Sequence, residues 1–188
     1  MPAPSSIRQS IDRHLASLGA IVDATESIER IAETFVWTLS QGGKILTCGN
    51  GGSAAEAMHL AEEMIGRFSR DRRPFAATCL CADPAAMTCI ANDYGFEEMF
   101  ARQVQGLGRK GDVLVALTTS GRSPNILKAL ERARDIGVTT VGLLGRPDSP
   151  AQALCDIALT TPAWHSSHVQ EVHIVVMHLI LEYLDEHS

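Results

Sequence analysis

Two stretches of this chain gather small and hydroxylated residues densely enough to hold an anion. The first is Gly49-Asn50-Gly51-Gly52-Ser53, placed where an apolar run ends and a helical pattern begins. Glycines let the main chain turn tightly and approach a ligand, and N–H groups at a helix start can surround negative charge. Ser53 either adds a hydroxyl to such a site or caps the helix with Glu56 as its third-position partner. No lysine follows the glycines and no three-glycine dinucleotide spacing is present, which excludes an ATP loop and a dinucleotide fingerprint. The second stretch, Thr118-Thr119-Ser120-Gly121-Arg122-Ser123-Pro124-Asn125, carries four hydroxyls within six residues ahead of a proline suited to a first helical turn. One cap and one glycine meet the structural need there. The surplus hydroxyls suit phosphate oxygens, which accept several hydrogen bonds at once.

The titratable candidates lie on two helical patterns. His59 and Glu63 are spaced i,i+4, so they share a helix face about 5–6 Å apart at Cβ. Such a pair coordinates a metal, acts as base and orienting group, or is an ordinary surface pair; Glu62 competes from a different face. Near the C-terminus stand Gln170, Glu171, His173, His178 and Glu182. Gln170 and His178 are separated by roughly 12 Å of helix rise, which is awkward for two ligands of one ion on a straight helix. His178 and Glu182 form an easier local pair, and His173 reads as a satisfied helix-surface histidine. Asn92-Asp93-Tyr94-Gly95 reads as a turn whose polar side chains are able to meet sugar hydroxyls.

These residues need a scaffold, and the hydrophobic pattern supplies one. The first 40 residues are helical by periodicity, with Ile7, Ile11, Leu15 and Leu18, then Ile28, Ile31, Phe35, Val36 and Leu39. So much apolar surface requires a partner, either the domain body or another subunit. Beyond Gly43 short apolar runs alternate with helices: strands over 44–49, 75–81, 112–117, 139–144 and 156–160, helices over 54–67, 84–90, 96–107, 124–136 and 168–184. Near-continuous apolar strands of this kind predict a parallel sheet of about five strands covered on both faces. In such sheets ligands bind at the carboxyl ends of the strands, where both polar loops fall.

Composition narrows the setting. A chain of 188 residues with 45% apolar and 20% charged residues is an ordinary globular domain, read here as one domain over 1–188. Net charge of −6 argues against nucleic acid or an anionic membrane as partner, and the cluster Arg67, Arg70, Arg72 and Arg73 reads as a solvated loop. No signal-peptide pattern opens the chain and no apolar run approaches a membrane span, so cytoplasm is the expected location. The five cysteines match no zinc spacing and are expected to be reduced, buried thiols.

Together the segments Cys48–Ser53, Ala57–Glu63, Asn92–Gly95, Thr118–Ser123 and Val169–His173 with His178 resemble the phosphoheptose isomerases, a branch of the sugar-isomerase (SIS) family. The likeness covers nearly the whole chain, most clearly 41–145 and 168–185. It implies a three-layer flavodoxin-like fold with a central, mostly parallel sheet. It also implies sugar-phosphate contacts by Asn50, Gly51, Gly52, Ser53, Glu63, Asn92, Asp93, Thr118, Thr119, Ser120, Ser123 and Gln170. The family's zinc positions fall on His59, Glu63, Gln170 and His178, and its proton-transfer residues on Glu63 and His178. The implied reaction interconverts sedoheptulose 7-phosphate and D-glycero-D-manno-heptose 7-phosphate through an enediol, in a homotetramer with sites at subunit interfaces. That assembly would relieve the Gln170–His178 difficulty and cover the 1–40 helical segment. Arg122, the Arg146-Pro147-Asp148-Ser149 turn and the approach to the last helix, with Trp164 and His165, depart from the family pattern. Alternatives are isomerisation of another phosphosugar and a non-catalytic relative of the replication-initiator-associated branch, which retention of the four candidate metal residues disfavours.

Overall fold

A computed structural model describes residues 6–161 and 165–187. The chain opens with α1 (Ile7–Gly19), a short 3-10 turn and α2 (Thr25–Ser40). It then alternates β1 (Ile45–Gly49), α3 (Gly52–Ile65), β2 (Ala77–Cys79), α4 (Pro84–Tyr94), α5 (Met99–Leu107) and β3 (Val113–Thr118). It closes with α6 (Pro124–Asp135), β4 (Thr139–Leu144), α7 (Pro150–Leu154), β5 (Ile157–Thr160) and α8 (Ser166–His187). The five strands form one sheet in the order β2-β1-β3-β4-β5, and every pairing is parallel.

Strand alternation divides the core into two. Val113, Val115 and Leu117 of β3 face one way with Ile45, Val141 and Leu143, under Phe35 of α2, Leu60 and Met64 of α3 and Val176 of α8. Leu114 and Ala116 face the other way, with Leu46 and Cys48, under Phe100 of α5 and Ile126, Ala129 and Leu130 of α6. Both faces are therefore roofed by helices, the three-layer arrangement expected of near-continuous apolar parallel strands. The sheet order reverses direction between β1 and β3, and the loops after these two strands flank the crevice that such a reversal opens.

Several local expectations need correction. The helix expected over 54–67 starts at Gly52, because Gly51, at φ +57, turns the chain early and is itself the N-cap. Ser53 therefore lies inside the first turn, makes no cap, and is buried. The strand expected over 75–81 shrinks to three paired residues because β2 is an edge with only β1 beside it. Asn92 and Asp93 are not a turn. They occupy the last turn of α4, which runs on to Tyr94 until Gly95, at φ +95, ends it. The short α7 was not legible in the periodicity, while α8 is longer than expected at both ends.

The basic cluster also departs from a solvated loop. Arg73, Arg70 and Arg67 are exposed, but the Arg72 side chain is buried and its Nε–H donates to Asp185 Oδ1 at 2.6 Å. His173 is wholly buried rather than on the helix surface, and burial pushes its imidazole down to about 4 against the opposing Leu144 main chain. All five thiols are free, but only Cys48 is fully buried and Cys89 is exposed. Trp164 lies outside the described residues. Among the described residues no helix is long and apolar enough to cross a membrane.

Candidate active site

The first loop is held open by contacts that tolerate no side chain. A Cβ on Gly49 would strike the Ser53 carbonyl, and one on Gly52 would strike the Gln170 carboxamide. The Ser53 N–H donates to the Asn50 carbonyl at 3.1 Å, and Ala54 and Ala55 donate to Gly51, while the Gly51 and Gly52 N–H groups take no part in these turns. Those two donors, at the N-terminus of a 14-residue helix, are what an anion would meet.

The second loop spends part of its hydroxyl supply on itself. Thr118 Oγ1 accepts from the Gly121 N–H at 3.2 Å and is buried, and Ser120 Oγ accepts from the Arg122 N–H at 3.3 Å. Thr119 Oγ1 accepts from Ser166 at the start of α8, at 3.2 Å. Ser123 is the N-cap of α6, yet its side chain makes no capping bond. Gly121 takes φ +64, and a Cβ there would strike Ser149 Oγ. The turn that departs from the family pattern thus backs this loop, and Asp148 adopts φ 53 where a glycine would be unstrained.

Asn125, which spacing had placed only as the end of the loop, ties the two loops together. It is fully buried, its Nδ2 donates to Asn50 Oδ1 at 2.8 Å, and Asn50 Nδ2 donates back to its Oδ1 at 2.9 Å. Pattern reading gave no reason to prefer it, since an asparagine after Ser-Pro is common at a helix start.

Two turns along α3 lies a cluster of imidazoles and carboxylates. His59 Nε2 and His178 Nε2 are 3.1 Å apart across the α3–α8 contact, with the rings edge to face. Glu63 Oε1 stands 3.9 Å from the same His59 nitrogen, and Glu62 Oε2 stands 3.5 Å from His59 Nδ1. Phe68 packs on the His178 ring at 5.6 Å between centroids. His59 is thus the link, in contact with His178 on one side and near Glu63 on the other. Gln170 is placed elsewhere, against Gly52, and α8 keeps it two turns from His178. Asn92 and Asp93 are exposed, and the Asn92 amide donates to Asp93 Oδ1 at 2.8 Å.

Imidazoles and carboxylates are donors that suit a divalent cation, and the mutually close ligand atoms are those of His59, Glu62 and Glu63, within 4.8 Å of one another, with His178 reaching the group through His59. Two imidazole nitrogens on one tetrahedral zinc, each at about 2.0–2.1 Å from it, stand about 3.3 Å apart, close to the His59–His178 separation. Without an ion, the same contact is an N–H···N hydrogen bond between the rings.

One carboxylate expected only as a capping partner of Ser53 is instead buried. It is Glu56, one turn before His59, and burial pushes its carboxyl up to about 7, opposed by the Ser53 hydroxyl.

The SIS domain family model matches residues 11–145. A phosphoheptose isomerase of Helicobacter hepaticus is 44% identical over 179 residues, covering 95% of this chain and 91% of that protein. The solved phosphoheptose isomerase from Neisseria gonorrhoeae superposes with a TM-score of 0.86 at 37% identity, over 96% of this chain and all of that one. The solved phosphoheptose isomerase from Francisella tularensis gives 0.88 at 33% identity, over 97% and 100%. By sequence, by fold and by the loops and helices just described, the chain belongs to the SIS domain family, in its phosphoheptose isomerase branch.

Proposed function

We propose that this chain isomerises D-sedoheptulose 7-phosphate to D-glycero-D-manno-heptose 7-phosphate, with catalytic residues Glu63 and His178. The observation that carries the reading is the His59–His178 contact with Glu63 beside it, two helical turns beyond a loop pair shaped for phosphate. The name and extent of the relatives support the seven-carbon substrate.

The loops hold the phosphate through the Gly51 and Gly52 N–H groups and the hydroxyls of Thr119, Ser120 and Ser123, which leaves C1 and C2 of the open-chain ketose toward α3 and α8. Glu63 takes a proton from C1, and the electron pair moves to form the enediolate. His178 carries a proton from the C1 oxygen to the C2 oxygen, and Glu63 returns its proton to C2, giving the aldose. No electrons leave the substrate, so no redox partner enters. Zinc, held by His59, Glu63 and His178, would supply Lewis-acid stabilisation of the enediolate oxygens. Gln170 completes the set from a second copy of the chain, as does the loop side of the site where Asn92 and Asp93 are exposed. A homotetramer in the cytoplasm fits the exposed apolar stripe Ile7, Ile11 and Leu15 on α1 and the exposed Trp37 on α2.

The test is turnover of sedoheptulose 7-phosphate by the purified chain, before and after chelation and after zinc is restored. Turnover that is lost on chelation and returns with zinc is expected. Absence of turnover in every state of a folded protein would overturn the enzyme reading, and turnover indifferent to chelation would remove the metal.

A further inference from the structure

The two anion-holding loops belong to different strands, and main-chain hydrogen bonds between them do not extend past the strand ends, where β1 pairs with β3 up to Gly49 and Leu117. What crosses the gap is a pair of primary amides. Asn50 sits between Gly49 and Gly51, the most freely jointed part of the first loop. Asn125 sits on the first turn of α6, directly after Pro124, fully buried and fixed by the helix. Each donates to the other, at 2.8 and 2.9 Å. The pairing is reciprocal, so turning either amide alone by half a rotation would set oxygen against oxygen and nitrogen against nitrogen. Only the matched orientation satisfies both.

We infer that Asn125 is a positioning residue for the phosphate site: through its reciprocal amide pair with Asn50 it latches the two loops into one anion cradle. The inference rests on the isomerase reading only for the identity of the sugar; the cradle itself requires no more than a phosphate. The latch uses one N–H and one oxygen lone pair of each amide, so a second N–H on Asn50 remains for a ligand oxygen. Asn50 thus serves the substrate in an orientation that Asn125 dictates. The pair spans the crevice between β1 and β3 at the point where the sheet order reverses, so ordering it orders both walls together. Pre-ordered donors bind an anion more tightly than the same donors on loops that must be fixed on binding.

The experiment compares the full chain with Asn50→Ala, Asn125→Ala and the double variant. It reads the Kd for inorganic phosphate by calorimetry, KM and kcat for sedoheptulose 7-phosphate, and Tm. A latch predicts that Asn125→Ala weakens phosphate binding and raises KM roughly tenfold with kcat within about threefold, and that the double variant is no worse than the poorer single one. Multiplying losses in the double variant would overturn the latch, because the two side chains would then act separately. Unchanged phosphate affinity in Asn125→Ala, with only Tm lowered, would likewise reduce Asn125 to packing. Should Asn125→Ala not fold, Asn125→Ser keeps one neutral hydroxyl in the buried position; an intermediate affinity is expected, and parental affinity would overturn the proposal. Phosphate binding lost in the variants of a chain that shows no isomerisation would uphold the latch and sink the isomerase reading instead.

Discussion

At the scale of single residues, the site separates groups that react from groups that shape. Glu63→Gln and His178→Ala remove a proton carrier each, so kcat should fall by about 10²–10⁴ with the fold retained, measured by steady-state turnover beside circular dichroism. Near-normal kcat in both would exclude the proton-transfer pair. Gly52→Ala acts by shape: its Cβ displaces the Gln170 carboxamide, so KM should rise more than kcat falls. Glu56 offers a pH signature. Its carboxyl ionises near 7 when folded and at its ordinary value of 4.5 when unfolded, so the native state binds the extra proton between these values. Stability should therefore decline as pH rises from 4.5 to about 7 and level off above it. Glu56→Gln should flatten that segment of a Tm-against-pH curve; an unaltered slope would assign it to another group. His59 and Glu63 stand out by their i,i+4 spacing, but it is the family resemblance, not spacing, that singles out His178 over His173 and Glu182. Glu56 and Asn125 do not stand out, since only three-dimensional burial separates them from a surface glutamate and a loop-end asparagine.

At the scale of elements, the cluster depends on how α3 is fastened to α8. Arg72 does much of this. Its Nη1 and Nη2 donate to the carbonyls of Met64 and Glu63 at 2.9 and 3.0 Å, which satisfies the C-terminal end of α3, and its Nε donates to Asp185 on α8. Asp185 also accepts from the Ser69 N–H and hydroxyl at 3.1 and 2.6 Å. Burial works to raise this carboxyl, but the Ser69 and Arg72 hydrogen bonds outweigh it and hold it at about 2. The folded value lies below the ordinary value of 3.8, so the contribution is complete above pH 3.8 and is lost as pH falls toward 2. Asp185→Asn leaves the Arg72 guanidinium buried without its counter-charge, which costs about 3 kcal/mol, or roughly 10 °C in Tm at neutral pH. A loss under 1 °C would mean the pair is replaceable by water. Most element types were legible from the hydrophobic pattern, because β1, β3 and β4 are near-continuous apolar runs; the short α7 and the end of α4 were not. Element ends were less so: α3 starts from its N-cap Gly51 and α4 stops at Gly95, whose positive φ values a sequence does not display.

At the scale of the whole molecule, the chain leaves a run of large apolar side chains exposed. Ile7, Ile11 and Leu15 recur every fourth residue on α1, and Ile7 is 82% exposed. Trp37 on α2 is 59% exposed, and Met58 and Ile65 lie exposed on α3, the helix that carries His59 and Glu63. Large side chains on the reactive helix that face away from its own core place any partner surface within a turn of the reacting groups. The proposed tetramer would then couple assembly to catalysis. Charging the stripe on α1, as in Ile11→Glu with Leu15→Glu, alters no residue of the candidate site and disturbs little of the monomer core, since both side chains are already exposed. The expected result is a smaller species by sedimentation, with far-ultraviolet circular dichroism unchanged. Under the proposed shared site, activity should fall with the assembled fraction and recover at high protein concentration. A dissociated variant with full specific activity at every concentration would confine the working site to one chain and leave Gln170, against Gly52, as a member of the phosphate loop alone.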